Sequence, residues 1–125
     1  KTNSGEYELV RFATKFGILG QGIASKMFSY FIKNYNVNNV ITYSDKRWNT
    51  GNLYKQLGFK HSHASAPNYW YIKKDRRIHR FNFRKQELSK KIYNFNPELT
   101  EYQNMQNNGY DRIWDCGNDV WIYNK

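Results

Sequence analysis

The chain holds a single cysteine, Cys116, among its 125 residues. One thiol excludes an internal disulfide framework and argues against a zinc site. It fits an intracellular setting, where disulfides are rare. No apolar run is long enough to span a membrane, and no signal peptide is visible, so no membrane partner is expected. The chain begins at Lys1, which suggests a piece of a longer protein. Internal repeats, low-complexity tracts and obvious linkers are missing. Carboxylates are scarce: 10 Asp and Glu stand against 20 Lys and Arg. No pair of acids lies with a lysine at nuclease spacing. Asp115 and Cys116 have no histidine near in sequence to make a nucleophile. A turn with a half-buried thiol is expected there.

What is abundant is positive charge and aromatic rings. The formal net charge is +10, the isoelectric point is about 9.7, and 18% of residues are Phe, Trp or Tyr. Lysine and arginine release counterions from phosphate, and flat rings stack on bases, so this balance points to nucleic acid. The competing reading is a solvated basic surface over an aromatic core. The length suits one α/β domain with a real hydrophobic core.

The pattern of residues predicts the order of elements. Tyr7 to Thr14 reads as a buried strand, and Gly17 to Gly22 as a glycine turn. Ile23 to Lys33 reads as a helix with Ile23, Met27, Tyr30 and Phe31 on one face, widened by Phe28 and Ile32. Val40 to Ser44 is a second strand, which makes a parallel crossover with the first. Asn49 or Thr50 caps a short helix through Leu57, and Gly58 stops it. A strand starts at Phe59. "YWYIKK" and "RIHRFNF" form a hairpin joined at Lys74–Asp75–Arg76. Thr100 and Gln103 make a capping box for a helix ending at Gly109. "YDRIWDCGNDVWIY" reads as two short strands around Gly117–Asn118. The division expected is 1–84 for an α/β core with the basic hairpin, and 85–125 for a C-terminal extension packed on it.

Three blocks in order resemble the second half of the GCN5-related N-acetyltransferase fold: "LVRFATK", "GILGQGIASKM" and "NLYKQLGF". The resemblance implies a truncated mixed sheet with a strand–glycine loop–helix–strand crossover, followed by a basic hairpin and helix extension. It implies that Gly20, Gln21, Gly22, Ile23 and Ala24 hold the pyrophosphate of acetyl-CoA. Gly20 and Gly22 would let the backbone come close to phosphate, at a helix N-terminus. It also implies that Tyr54 protonates a departing thiolate. A half-buried core tyrosine is the other reading of Tyr54. Gly17 stands where the family's loop usually opens with Arg or Gln. Almost nothing precedes the first strand to shape an acceptor site.

A second resemblance covers nearly the whole chain. "YELVRF", "ASKMFSYFI", "ITYSDKRWNTGNLYKQLGF", "PNYWYIK", "HRFNFRKQELSKK", "TEYQNM" and "GYDRIWDCGN" are similar to the C-terminal domain of phage-encoded homing-type endonucleases, the Hef-like and very-short-patch-repair-like proteins. It implies an upstream nuclease domain in the same polypeptide, DNA as partner, and the cytoplasm of an infected bacterial host. It carries no cleavage activity onto these residues.

The strongest local chemistry is the basic run Lys73–Lys91. Lys73, Lys74, Arg76, Arg77, Arg80, Arg84 and Lys85 are its candidate phosphate contacts. Alternation along a hairpin would pack rings on one face and present Arg and Lys on the other. In "SDKRWNTGN", Asp45, Arg47, Trp48 and Asn52 form a polar site at the end of a strand, or else Trp48 anchors the helix entry by packing. His61 and His63 would share a strand face, but with His79 they show no ligand spacing, and no metal is expected. The function favoured is a non-catalytic DNA-binding or targeting module of a phage mobile endonuclease, on duplex or single-stranded DNA. An acyl-CoA-dependent N-acetyltransferase is the alternative, and a purely structural or partner-binding module a third reading.

Overall fold

The structure is a computed structural model that describes residues 5–18 and 20–125. Leu19, within the expected glycine turn, lies outside them. The elements follow in the order β1 (Glu6–Glu8), α1 (Ile23–Asn34), β2 (Asn39–Asp45), α2 (Asn52–Gln56), β3 (Lys60–Ala64), β4 (Tyr69–Lys73), β5 (Arg76–His79), a 3-10 turn (Arg80–Phe83), α3 (Lys85–Lys91), α4 (Glu101–Asn107), β6 (Asp111–Trp114) and β7 (Asn118–Asn124). The protein is mixed α/β, with a four-stranded and a three-stranded sheet. Among the described residues no helix is long and apolar enough to cross a membrane.

The chain makes two compact units. One runs to Ala66 and is completed by Cys116–Lys125, and the other is Pro67–Asp115. The division therefore falls at 66/67 and 115/116, where 84/85 was expected. The physical reason is β7. The expected hairpin around Gly117–Asn118 does not form, because β6 pairs with β4 while β7 pairs with β2 and β3. Seven residues of β7 register against all seven of β2, from Asn39 opposite Asn124 to Asp45 opposite Asn118. That long antiparallel ladder, with Val120 and Trp121 both buried, outweighs a local turn.

In the first unit the strand order is β1-β2-β7-β3. β1 and β2 are parallel and joined through α1. β1 is shorter than expected. Pairing ends at Leu9, whose N–H donates to the Ile41 carbonyl at 2.9 Å and whose carbonyl accepts from Thr42 Oγ1 at 2.8 Å. Beyond it Val10 is 80% exposed, so the buried strand expected to Thr14 stops early. On β2, Val40, Thr42 and Ser44 alternate into the core. Val40 clusters there with Val37, Tyr54, Phe59 and Trp121. The core stripe of α1 is Phe28, Phe31 and Ile32. Ile23, Met27 and Tyr30, expected on the core face, lie exposed. Both sets fit helical spacing, and only packing chooses between them.

Trp121, not Trp48, anchors the entry to α2. Its indole Nε1 donates to Ser44 Oγ at 2.9 Å, and its ring is so close to Gly51 that a Cβ there would lie 2.1 Å from Cζ2. Gly51 also has φ +76°, a conformation costly for any side chain. Trp48 is 79% exposed, which overturns the packing role expected for it.

In the second unit the strand order is β5-β4-β6, all antiparallel. The hairpin turns at Lys74–Asp75, with Lys74 at φ +55°. β5 ends at His79, so Arg80 to Phe83 leave the strand expected of them and form the 3-10 turn. The capping box is present as Thr100 and Gln103 at the start of α4.

Candidate nucleic-acid interface

Alternation along β4 divides the second unit's sheet into two faces. Tyr69 and Tyr71 point to one, with Ile78 of β5 and Arg112 of β6 opposite Tyr71. This face is packed: Tyr71, Phe83, Leu88, Ile92 and Met105 form a buried cluster. One carboxylate orders its polar edge. Glu101 Oε1 accepts from the Tyr71 hydroxyl at 2.8 Å and from the Tyr69 hydroxyl at 3.2 Å. Burial first, and the neighbouring carboxylate second, push the Tyr71 hydroxyl well above the usual phenol range. The Arg112 guanidinium lies 3.5 Å from the centroid of the Tyr102 ring and 5.2 Å from that of Tyr69. Asn104, also buried, donates to the carbonyls of Asn96, Leu99 and Thr100.

Trp70, Ile72, Arg77, His79 and Ile113 share the opposite face by the same registers. Here rings and cations alternate in space. The Arg77 guanidinium lies over Trp70 at 4.3 Å. Trp70 meets His79 edge-on at 4.6 Å, and His79 stacks on Phe81 at 4.9 Å with 24° between the planes. The Phe81 N–H donates to His79 Nδ1 at 3.3 Å, which fixes the step from strand to 3-10 turn. Arg84 lies over Phe81 at 4.5 Å, and Arg80 reaches both Tyr69 and Phe81. Such contacts are worth about 0.5–1 kcal/mol each at exposed sites.

The basic run is therefore not on one face, as alternation alone had suggested. Lys73 and Arg76 face each other at the turn, on the side of the packed face. Lys73 is occupied: its Nζ donates to the Asn108 carbonyl at 2.9 Å and sits 4.6 Å from the Tyr110 centroid. Lys91 donates to the Asn82 carbonyl at 2.7 Å. Lys74, Arg76, Arg77, Arg84 and Lys85 are exposed, and Arg80 is half-buried. Among the described residues none of these arginines pairs with a carboxylate. The ion pair found there, His61 with Asp119 at 3.0 Å, belongs to the first unit.

The first unit's candidates do not converge. α1 starts at Gly22, which has φ +76° and no side-chain cap. The Ile23 N–H is taken by the Gly20 carbonyl at 3.3 Å, which makes part of this loop a closed turn. A cavity of about 280 Å³ lies beside α1, lined by Tyr7, Leu9, Phe12, Met27, Phe28 and Leu57 among others. Of Gly20–Ala24 it touches Ala24. Tyr54 is in the core, 6% exposed, against Phe59 and Trp121. Asp45 accepts from the Arg47 N–H through Oδ1 at 2.9 Å, and its carbonyl accepts from Trp48 and Asn49. Asn49 Oδ1 accepts from Gly51 N–H at 2.8 Å. These bonds make a turn into α2, with Arg47 lying 5.7 Å from the exposed Trp48 ring and Asn52 exposed at the helix start.

A register shift between His61 and His63 breaks the alternation that would place both on one face. Among the described residues no three His, Cys, Asp or Glu come together as a metal site. Cys116 is exposed rather than half-buried. Phe81 was legible as a ring of the basic run, whereas the sequence pattern missed Glu101 as a partner of Tyr71, and His79 as a partner of Trp70 and Phe81. The signal for His79 was present in the alternation of "RIHRF" opposite "YWYIK", which sets it across from Trp70. No family model, curated protein or solved structure matches the chain.

Proposed function

We propose that the chain is a non-catalytic DNA-binding or targeting module of the kind its sequence resembles in phage mobile endonucleases. It would act beside a nuclease domain of the same polypeptide in an infected bacterial cell. The observation that carries this reading is the set Arg77, Arg80 and Arg84, laid against rings and unpaired with carboxylates among the described residues. Cations kept free of acids retain their full attraction for phosphate. The parallel β1–α1–β2 unit, with α2 after it, has the element order the acetyltransferase-like blocks imply and supports that part of the resemblance, although "LVRFATK" lies beyond β1. Acyl-CoA transfer has less behind it. The apolar cavity beside α1 could take a small ligand, but Tyr54, the residue the chemistry would need, is packed in the core.

The test is the salt dependence of binding to duplex DNA, measured by fluorescence anisotropy. Affinity should fall steeply with salt as counterions are released. Replacing Arg76, Arg77 and Arg80 together by Ala should lower both the affinity and the slope. A triple variant that binds like the parent, with the same slope, would refute the assignment.

A further inference from the structure

We infer that the open face of the three-stranded sheet takes unpaired bases, so that the preferred ligand is single-stranded nucleic acid. This rests on the nucleic-acid reading above and narrows it. Phosphate attraction alone would be met by lysines on any surface, and it does not require rings. Here two of the exposed cations, Arg77 and Arg84, lie on ring faces. Phe81 is 53% exposed and lies against two flat groups, the His79 ring at 4.9 Å and the Arg84 guanidinium at 4.5 Å. Trp70 carries Arg77 in the same way at 4.3 Å. A guanidinium is planar and weakly hydrated, and it lies where the π-face of a base would lie.

Both arginines are exposed and, among the described residues, have no carboxylate to hold them. They can therefore swing from ring to phosphate as a base takes their place. Trp70, His79 and Phe81 form one contiguous run of rings, with centroids 4.6 and 4.9 Å apart, so a strand that stacks on one lies beside the next. A duplex keeps its base faces stacked inside and offers this surface only its backbone. Stacking on rings is available to every base, so the site should tolerate sequence. The backbone carrying the rings is held in place: Trp70 by its register with His79, and Phe81 by its N–H bond to the same histidine.

The experiment compares oligothymidylate, oligouridylate and a duplex of equal length, each titrated into the full chain. Single strands should bind more tightly than the duplex, and the two homopolymers show whether the sugar matters. Phe81→Ala should weaken single-strand binding about tenfold, in the range for one lost stack, and leave duplex affinity and its salt slope unchanged. Phe81→Leu keeps the apolar bulk and removes the flat ring, and should act in the same direction. This second variant guards against a folding defect in the first, and melting curves check both. Duplex binding that stays salt-dependent, with no preference for single strands, would overturn this inference and leave the DNA-binding reading standing. An equal loss on both ligands with Phe81→Ala would overturn it too. No binding to any of the three would refute both.

Discussion

In the first unit the rings of Tyr54, Phe59 and Trp121 close on one another inside the sheet–helix layer. In the second, Trp70, His79 and Phe81 run along the outer face of a sheet with arginines across them, while Tyr71 and Phe83 fill the inner one. The residue types are the same and the roles differ. What separates them is the face of the sheet on which they lie. Helices α1 and α2 contribute Phe28, Phe31, Leu53 and others over the first sheet's core face. In the second unit α3 and α4 supply Leu88 and Met105 to one face, and the other keeps its rings beside cations. The same residue types thus close a core where helices cover the sheet, and lie against arginines on the face away from the buried cluster.

The sharpest way to break this contrast is to exchange the roles of two tryptophans. Trp121→Ala should destabilise the protein by about 3–5 kcal/mol, as for a large ring removed from a core. The Ser44 hydroxyl would lose its donor as well. Trp48→Ala should stay within about 0.5 kcal/mol, as for an exposed surface position. Urea titrations of both variants decide. A costly Trp48→Ala would restore the anchor that its sequence position suggested.

Next in size is the polar edge of the second unit's core. Glu101→Ala leaves the Tyr71 hydroxyl buried without its acceptor and should cost about 1–3 kcal/mol. The same group sets an alkaline limit. Its folded-state proton is held more tightly than in the unfolded chain, so its contribution is fully present below the ordinary phenol value near 10. Above that pH the unfolded chain releases the proton and the folded one keeps it. Stability should then fall by up to about 1.4 kcal/mol per pH unit for this one group. Urea midpoints measured on either side of pH ~10 test it, and Tyr71→Phe should flatten the trend. A slope unchanged by that substitution would show that other groups set the limit.

The smallest effect concerns how helices begin. α1 starts on a glycine with no side-chain cap, whereas α4 starts on a reciprocal capping box, with Gln103 N–H donating to Thr100 Oγ1 at 3.2 Å and Thr100 N–H to Gln103 Oε1 at 3.0 Å. Thr100→Ala should cost about 1 kcal/mol in thermal or urea denaturation. Thr100→Ser should recover most of it. A loss that serine does not reverse would mean that the threonine methyl, rather than the cap, is what matters.

Local rules read well in this chain. Thr100 and Gln103 declared their helix because a capping box is closed within four residues. Gly58 ended α2, with φ +89°, because that ending depends on the residue itself. The hairpin at Lys74–Asp75 followed from alternation and a polar turn. The basic run was legible too, since charge is a property of composition.

Pairing between distant segments was decided elsewhere. β7 and β6 are separated by three residues and belong to different sheets, because the ladder with β2 satisfies seven residues of backbone and buries Val120 and Trp121. Which stripe of α1 faces the core, and whether Trp48 or Trp121 packs, are also choices made by long-range contact. At the candidate site, sequence supplied the arginines and the rings. Only the strand register put Arg77 and His79 beside Trp70, because ring contacts depend on distances that spacing along the chain does not set.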